Sequence, residues 1–101
     1  MELSRLKDAM KWPAVQAALG GMPKDFDDFC RMAGMGKSSR FFDSKALEGS
    51  VDGRPLSMLE VQPGWMVFQL DGVHERPKYL TTGLDGLFRK LMDFLEKELA
   101  A

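Results

Sequence analysis

Histidine and cysteine, the side chains that most often bind metals or act as nucleophiles, are nearly absent from this sequence. His74 is the only histidine and Cys30 the only cysteine. One cysteine cannot form an intrachain disulfide, and the two residues together are too few for a zinc site. Cys30 also falls at an apolar helical position, which favours packing over catalysis with His74. We therefore expect no metal, no cofactor and no catalytic residues, and a reducing, cytoplasmic setting.

An excess of charge and a long apolar run are missing too. The formal net charge is −1, so no overall field draws the chain to nucleic acid or to an anionic membrane. No apolar run reaches the roughly 20 residues that a transmembrane helix needs. The first ten residues mix charged and apolar side chains and lack the apolar core of a signal peptide. The sequence thus predicts a protein with no membrane partner.

Apolar side chains are plentiful enough for a folded core. Of the 101 residues, 45% are hydrophobic, and they include seven Phe, two Trp and eight Met. Burying them offsets the entropy of ordering a chain of this length. We expect one domain over residues 1–101, because the length suits a single core and the composition nowhere changes abruptly.

The first third of the chain has the pattern of three short helices. The first ends near Lys11, because Pro13 cannot continue it. The second carries Pro13 in its first turn and stops at Gly20. The third opens at Pro23, has three aspartates in its first turn, and ends at Gly34 as the left-handed residue.

Residues 40–80 have the pattern of an antiparallel meander. Two Asp-Gly turns and one Pro-Gly turn divide them into strands at 44–51, 55–62, Trp65–Leu70 and 73–80. Pro77 cannot donate to a ladder, so the last of these is an edge strand. The third strand, WMVFQL, is apolar on both faces, with Trp65 and Val67 opposite the other apolar residues. One face should meet helices and the other something else, such as a partner chain.

A long amphipathic helix closes the chain at 82–100, with Thr82 as its N-cap. Its apolar face is predicted to hold Leu84, Leu87, Phe88, Leu91, Met92, Leu95 and Leu99. Its wet face carries Asp85, Arg89, Asp93 and Lys97. The predicted fold is α+β, with helices at 1–34, a three- to four-stranded antiparallel meander at 40–80, and the C-terminal helix packed on the sheet.

The stretch GMGKSS, residues 34–39, resembles a phosphate-binding loop in composition. That loop requires glycine where this chain has Arg31, and it lies between a buried strand and the helix it opens. Here a helix precedes the stretch and no helical pattern follows it. We therefore interpret GMGKSS as a helix stop and a connection to the sheet.

Acidic and basic groups suggest one alternative site. Asp25, Asp27 and Asp28 suit a helix N-terminus better than acid–base or metal chemistry, because they do not converge on one point. Basic residues surround the start of the sheet beside two phenylalanines, a combination that binds nucleic acid by charge and stacking, although nearby acids offset the charge. The candidate nucleic-acid contacts are Lys37, Arg40, Lys45 and Arg54.

Tryptophan and methionine suggest a different site, one for a protein partner. Tryptophan is enriched at interface hot spots, and flexible methionines suit adaptable surfaces, although both also suit cores. The candidate contacts are Trp12, Met35, Met58, Trp65 and Val67. The leading hypothesis is a non-enzymatic protein that binds another protein, or itself as a homodimer, through the second face of the sheet or its edge strand. Its size suits an adaptor, inhibitor or immunity-type protein of bacterial or phage origin.

Overall fold

The computed structural model describes residues 11–37, 46–71, 78–80 and 83–100. Three helices lie in these ranges, α1 (Pro13–Leu19), α2 (Phe26–Met32) and α3 (Gly83–Ala100). Five strands accompany them: β1 (Gly36–Lys37), β2 (Ala46–Val51), β3 (Arg54–Gln62), β4 (Trp65–Leu70) and β5 (Lys78–Leu80). The fold is α+β, as the sequence predicts. Lys11, the first described residue, is helical and Trp12 is not, in agreement with a first helix that ends near Lys11. Residues 1–10 and the predicted Thr82 cap lie outside the described ranges.

The two short helices begin and end on local signals. Pro13 lies in the first turn of α1, and Gly20 ends that helix with φ of 75°. In α2 the N-cap is Asp25, whose carboxylate accepts a hydrogen bond from the Asp28 backbone N–H at 2.8 Å. The prediction that Pro23 opens this helix is therefore wrong by three residues, because the side chain of Asp25 can cap the helix and proline cannot.

The five strands form one antiparallel sheet in the order of the chain. β3 and β4 are the long central pair, joined by the Pro63-Gly64 turn, and their register runs from Leu56 opposite Leu70 to Gln62 opposite Trp65. β5 pairs with β4 and is the last strand on its side among the described strands, where the sequence predicts an edge strand. The meander and the packing of α3 on it confirm the predicted fold class.

The core lies between the helices and one face of the sheet. Met66, Phe68 and Leu70 point to this face, and all three are buried. The Phe68 ring meets that of Phe94 on α3 with 5.4 Å between centroids. The other fully buried large side chains come from every layer: Trp12, Val15, Phe29, Val51, Leu56, Met58, Leu91, Met92 and Leu95.

Helix α3 departs from its predicted pattern at three places. Leu84 is 56% exposed, although the spacing puts it on the apolar face, and Phe94 is buried, although the spacing leaves it out. Phe94 follows Leu91 by three positions, so it widens the buried arc toward the sheet. The predicted wet face is also not free of contacts, because Asp93 accepts a hydrogen bond from the indole of Trp12 at 2.8 Å.

Candidate protein-binding surface

The sheet has a second face, opposite the helices, on which the solvent exposure of the side chains varies. Directly paired residues of an antiparallel sheet share a face. Trp65 therefore lies beside Leu80 on β5, and Val67 lies beside Leu59 on β3. Val67 and Leu59 are half-buried, whereas Trp65 and Leu80 are exposed. The second face is thus open at the end of the sheet that carries the Pro63-Gly64 turn.

Trp65, Leu80 and Val61 form what we call the apolar patch. Their exposed fractions are 36%, 53% and 46%, respectively. Cβ atoms of directly paired residues stand about 5 Å apart, so Trp65 and Leu80 make one continuous surface. Leu84, four residues after Leu80 and at the start of α3, is also exposed. Leu84 and Met32, the latter on α2, are the other two exposed large apolar side chains among the described residues.

The backbone at the β3–β4 turn holds Val61 and Trp65 in place. The register shifts between Glu60, opposite Met66, and Gln62, opposite Trp65, so Val61 is the extra residue of a β-bulge. Across the same turn the Glu60 carboxylate accepts a hydrogen bond from the Gly64 backbone N–H at 3.1 Å. A bulge re-aims the side chain that it carries, and here that side chain is the exposed Val61.

Only part of the predicted partner surface lies at the surface. Trp12 and Met58 are each 1% exposed and belong to the core, so their prediction as contact residues is wrong. The Trp12 ring packs edge-on against Phe88, and its indole N–H is already bonded to Asp93. Met35 and Val67 are half-buried.

Leu80 and Val61 were missed by sequence reasoning. The WMVFQL pattern gives the faces of β4 but not the residues opposite them. A two-residue Asp71-Gly72 turn would pair Trp65 with Lys78, whereas the observed partner is Leu80, so no pattern in the sequence points to Leu80.

The candidate nucleic-acid residues are not brought together where the structure describes them. Lys37 is exposed and lies opposite Leu47, whereas Arg54 lies opposite Val51. Leu47 and Val51 are four residues apart along β2, so Lys37 and Arg54 are separated by roughly 13 Å along the strand direction. The Arg54 Nε donates a hydrogen bond to the Asp71 carboxylate at 2.6 Å, which balances its charge. Arg40 and Lys45 lie outside the described residues.

The acidic residues Asp25, Asp27 and Asp28 lie at the start of α2. Asp28 accepts a hydrogen bond from the Lys24 backbone N–H at 2.9 Å and forms an ion pair with Arg31. The Lys24 hydrogen bond, helped by Arg31, lowers the pKa of Asp28. These residues border a shallow hollow of about 320 Å³. The carboxylates of Asp25 and Asp28 there accept hydrogen bonds from backbone N–H groups of the protein itself.

Cys30 is half-buried on α2, and its surroundings make it a poor nucleophile. Burial raises the pKa of the Cys30 thiol, and the carboxylate of Asp27 raises it further. A raised pKa leaves less of the reactive thiolate at neutral pH. His74, the only histidine in the sequence, lies outside the described residues.

The GMGKSS stretch begins with the predicted helix stop, but its middle belongs to the sheet and not to a connection. Gly34 has φ of 63°, the left-handed conformation that suits glycine after a helix. Gly36 and Lys37 then form β1 and pair with Glu48 and Leu47. Extended backbone on a sheet edge does not form the cradle of N–H groups that a phosphate loop requires. Ser38 and Ser39 lie outside the described residues.

Comparison with known proteins adds no relative to this picture: no family model, no curated protein and no solved structure matches the chain. Within the described ranges, no three His, Cys, Asp or Glu side chains are grouped so as to bind a metal ion. In the same ranges, no helix has both the length and the apolar composition that a bilayer crossing requires.

Proposed function

We propose that this protein acts by binding another protein through the apolar patch. The observation that carries the proposal is the pairing of two exposed apolar side chains, Trp65 and Leu80, on adjacent strands. Single exposed apolar residues are ordinary on any surface, whereas large contiguous apolar patches mark interaction sites. A tryptophan at the centre of such a patch is the side chain that most often dominates binding energy.

The edge strand beside the patch supports the same mode of action. β5 is the last strand of the sheet as described, so its outer side can accept a strand of the partner in addition to side-chain contacts. Backbone pairing with β5 would contribute affinity, and Trp65 would contribute specificity. We place this activity in the cytoplasm, since a lone cysteine suits a reducing compartment.

The test uses two patch variants and one matched control. Trp65→Ala and Leu80→Ser each remove an apolar side chain from the patch, and Met32→Ala removes one of similar exposure, 37%, from α2. Wild-type chain immobilised at physiological salt would capture the partner from the native host, and its affinity for each variant would then be measured by calorimetry. We expect Trp65→Ala to weaken binding about 30-fold or more, the effect of losing a hot-spot residue of about 2 kcal/mol.

The outcomes separate the proposal from its rivals. Full affinity in both patch variants would overturn it, as would loss of affinity in Met32→Ala alone. If Trp65→Ala fails to fold by circular dichroism, Leu80→Ser still decides, because Leu80 is more exposed than Trp65. A wild-type dimer that both patch variants convert to monomer would identify the partner as a second copy of the chain.

Salt dependence distinguishes the nucleic-acid alternative. Binding through apolar contacts changes little with salt, whereas binding through phosphate contacts falls steeply as salt rises, over a range of about 50 to 200 mM. Release of the partner over this range would favour the nucleic-acid alternative, provided that Lys37→Ala weakens the binding and Trp65→Ala does not.

A further inference from the structure

We draw no further inference here: the strongest candidate, the exposed apolar patch of Val61, Trp65 and Leu80 at the open end of the sheet, already carries the proposed function, and nothing in the structure shows which molecule covers it.

Discussion

The indole N–H of Trp12 donates a hydrogen bond to the carboxylate of Asp93 at 2.8 Å, although 81 positions separate the two residues in the chain. Lys11 accompanies this contact, with its ammonium 4.9 Å from the centre of the Trp12 ring and 3.9 Å from the same carboxylate oxygen. The bond satisfies the one polar atom of a side chain that is otherwise buried in the core. It also joins the start of α1 to the middle of α3.

We expect this hydrogen bond to contribute about 1 kcal/mol to the free energy of unfolding. A double-mutant cycle with Trp12→Phe and Asp93→Ala, followed by urea denaturation, would measure it as the coupling between the two positions. Asp93→Asn keeps an acceptor oxygen and should cost less than Asp93→Ala. Additive single effects in the cycle would contradict a real bond. Trp65→Phe is the matched control, since Trp65 is partly exposed and should tolerate the change.

Glu96 is expected to stabilise the start of α1. No side chain of α1 itself caps the helix, and the Glu96 carboxylate instead accepts hydrogen bonds from the backbone N–H groups of Ala14 at 2.9 Å and Val15 at 3.1 Å. Glu96→Ala should lower the free energy of unfolding by about 1 kcal/mol, the usual cost of losing a helix cap. Glu96→Gln should retain part of that stability.

Hydrogen exchange provides the local measurement for Glu96. The amides of Ala14 and Val15 should exchange faster in Glu96→Ala than in the wild type, because both lose their acceptor. Lys90→Ala changes an exposed residue on the same helix and serves as the control, with an expected effect under about 0.5 kcal/mol. Equal stability of the Glu96 and Lys90 variants would show that the bonds contribute nothing.

The sequence predicts local features of this fold better than those that depend on distant residues. The alternation in WMVFQL predicts both faces of β4, because a period of two is a property of the strand itself. It cannot tell that Trp65 is exposed and Trp12 buried, since the burial of Trp12 depends on α3 at the far end of the chain. Leu84 is a similar case. Periodicity predicts the side of α3 on which it lies, but not whether another element packs against that side at this position.

The same limit applies to the candidate site. The apolar patch depends on the register that places Leu80 opposite Trp65, and on a bulge that exposes Val61. Register follows from which residues pair across strands, and no pattern within one strand specifies it fully. An edge position for the strand ending at Leu80, in contrast, is predicted by Pro77 in the sequence, because proline cannot donate to a central ladder.

Gly49 is expected to tolerate no side chain. A Cβ at this position would meet the Met35 Sδ and would lie 2.6 Å from the Ala33 carbonyl oxygen. The approach is close because the chain leaving α2 runs against β2, where the Ser50 backbone N–H donates to the Ala33 carbonyl at 3.0 Å. Met35 can shift its flexible side chain, but the Ala33 backbone cannot move without losing that bond.

Gly49→Ala should therefore destabilise the fold by about 2 kcal/mol, as overpacking typically does. Gly36→Ala is the control, since a Cβ there meets nothing within 4 Å and its φ is not positive. Thermal unfolding would compare them, with about 4–8 °C expected per kcal/mol for a domain of this size. If the two variants melt together, the close approach at Gly49 is not a constraint on the fold.

Cys30 should react slowly with iodoacetamide in the folded protein. Burial and the Asp27 carboxylate both raise the pKa of its thiol, so at pH 8 a smaller fraction is thiolate than in the unfolded chain. The alkylation rate should keep rising above the pH at which an ordinary cysteine levels off. Urea should restore the rate of a free thiol. A folded protein that reacts as fast as the unfolded one would contradict both causes.

Asp27→Asn separates the two causes of the raised pKa of the Cys30 thiol, which are burial and the Asp27 carboxylate. Removing the negative charge should lower the pKa of the thiol and speed alkylation at pH 8, by no more than about twofold because water and salt screen an exposed carboxylate. Asp85→Asn removes an exposed charge from α3 and should leave the rate unchanged. If both variants accelerate the reaction equally, the effect is one of net charge. If neither does, burial alone controls the thiol, and only a change that opens the core around α2 will activate it.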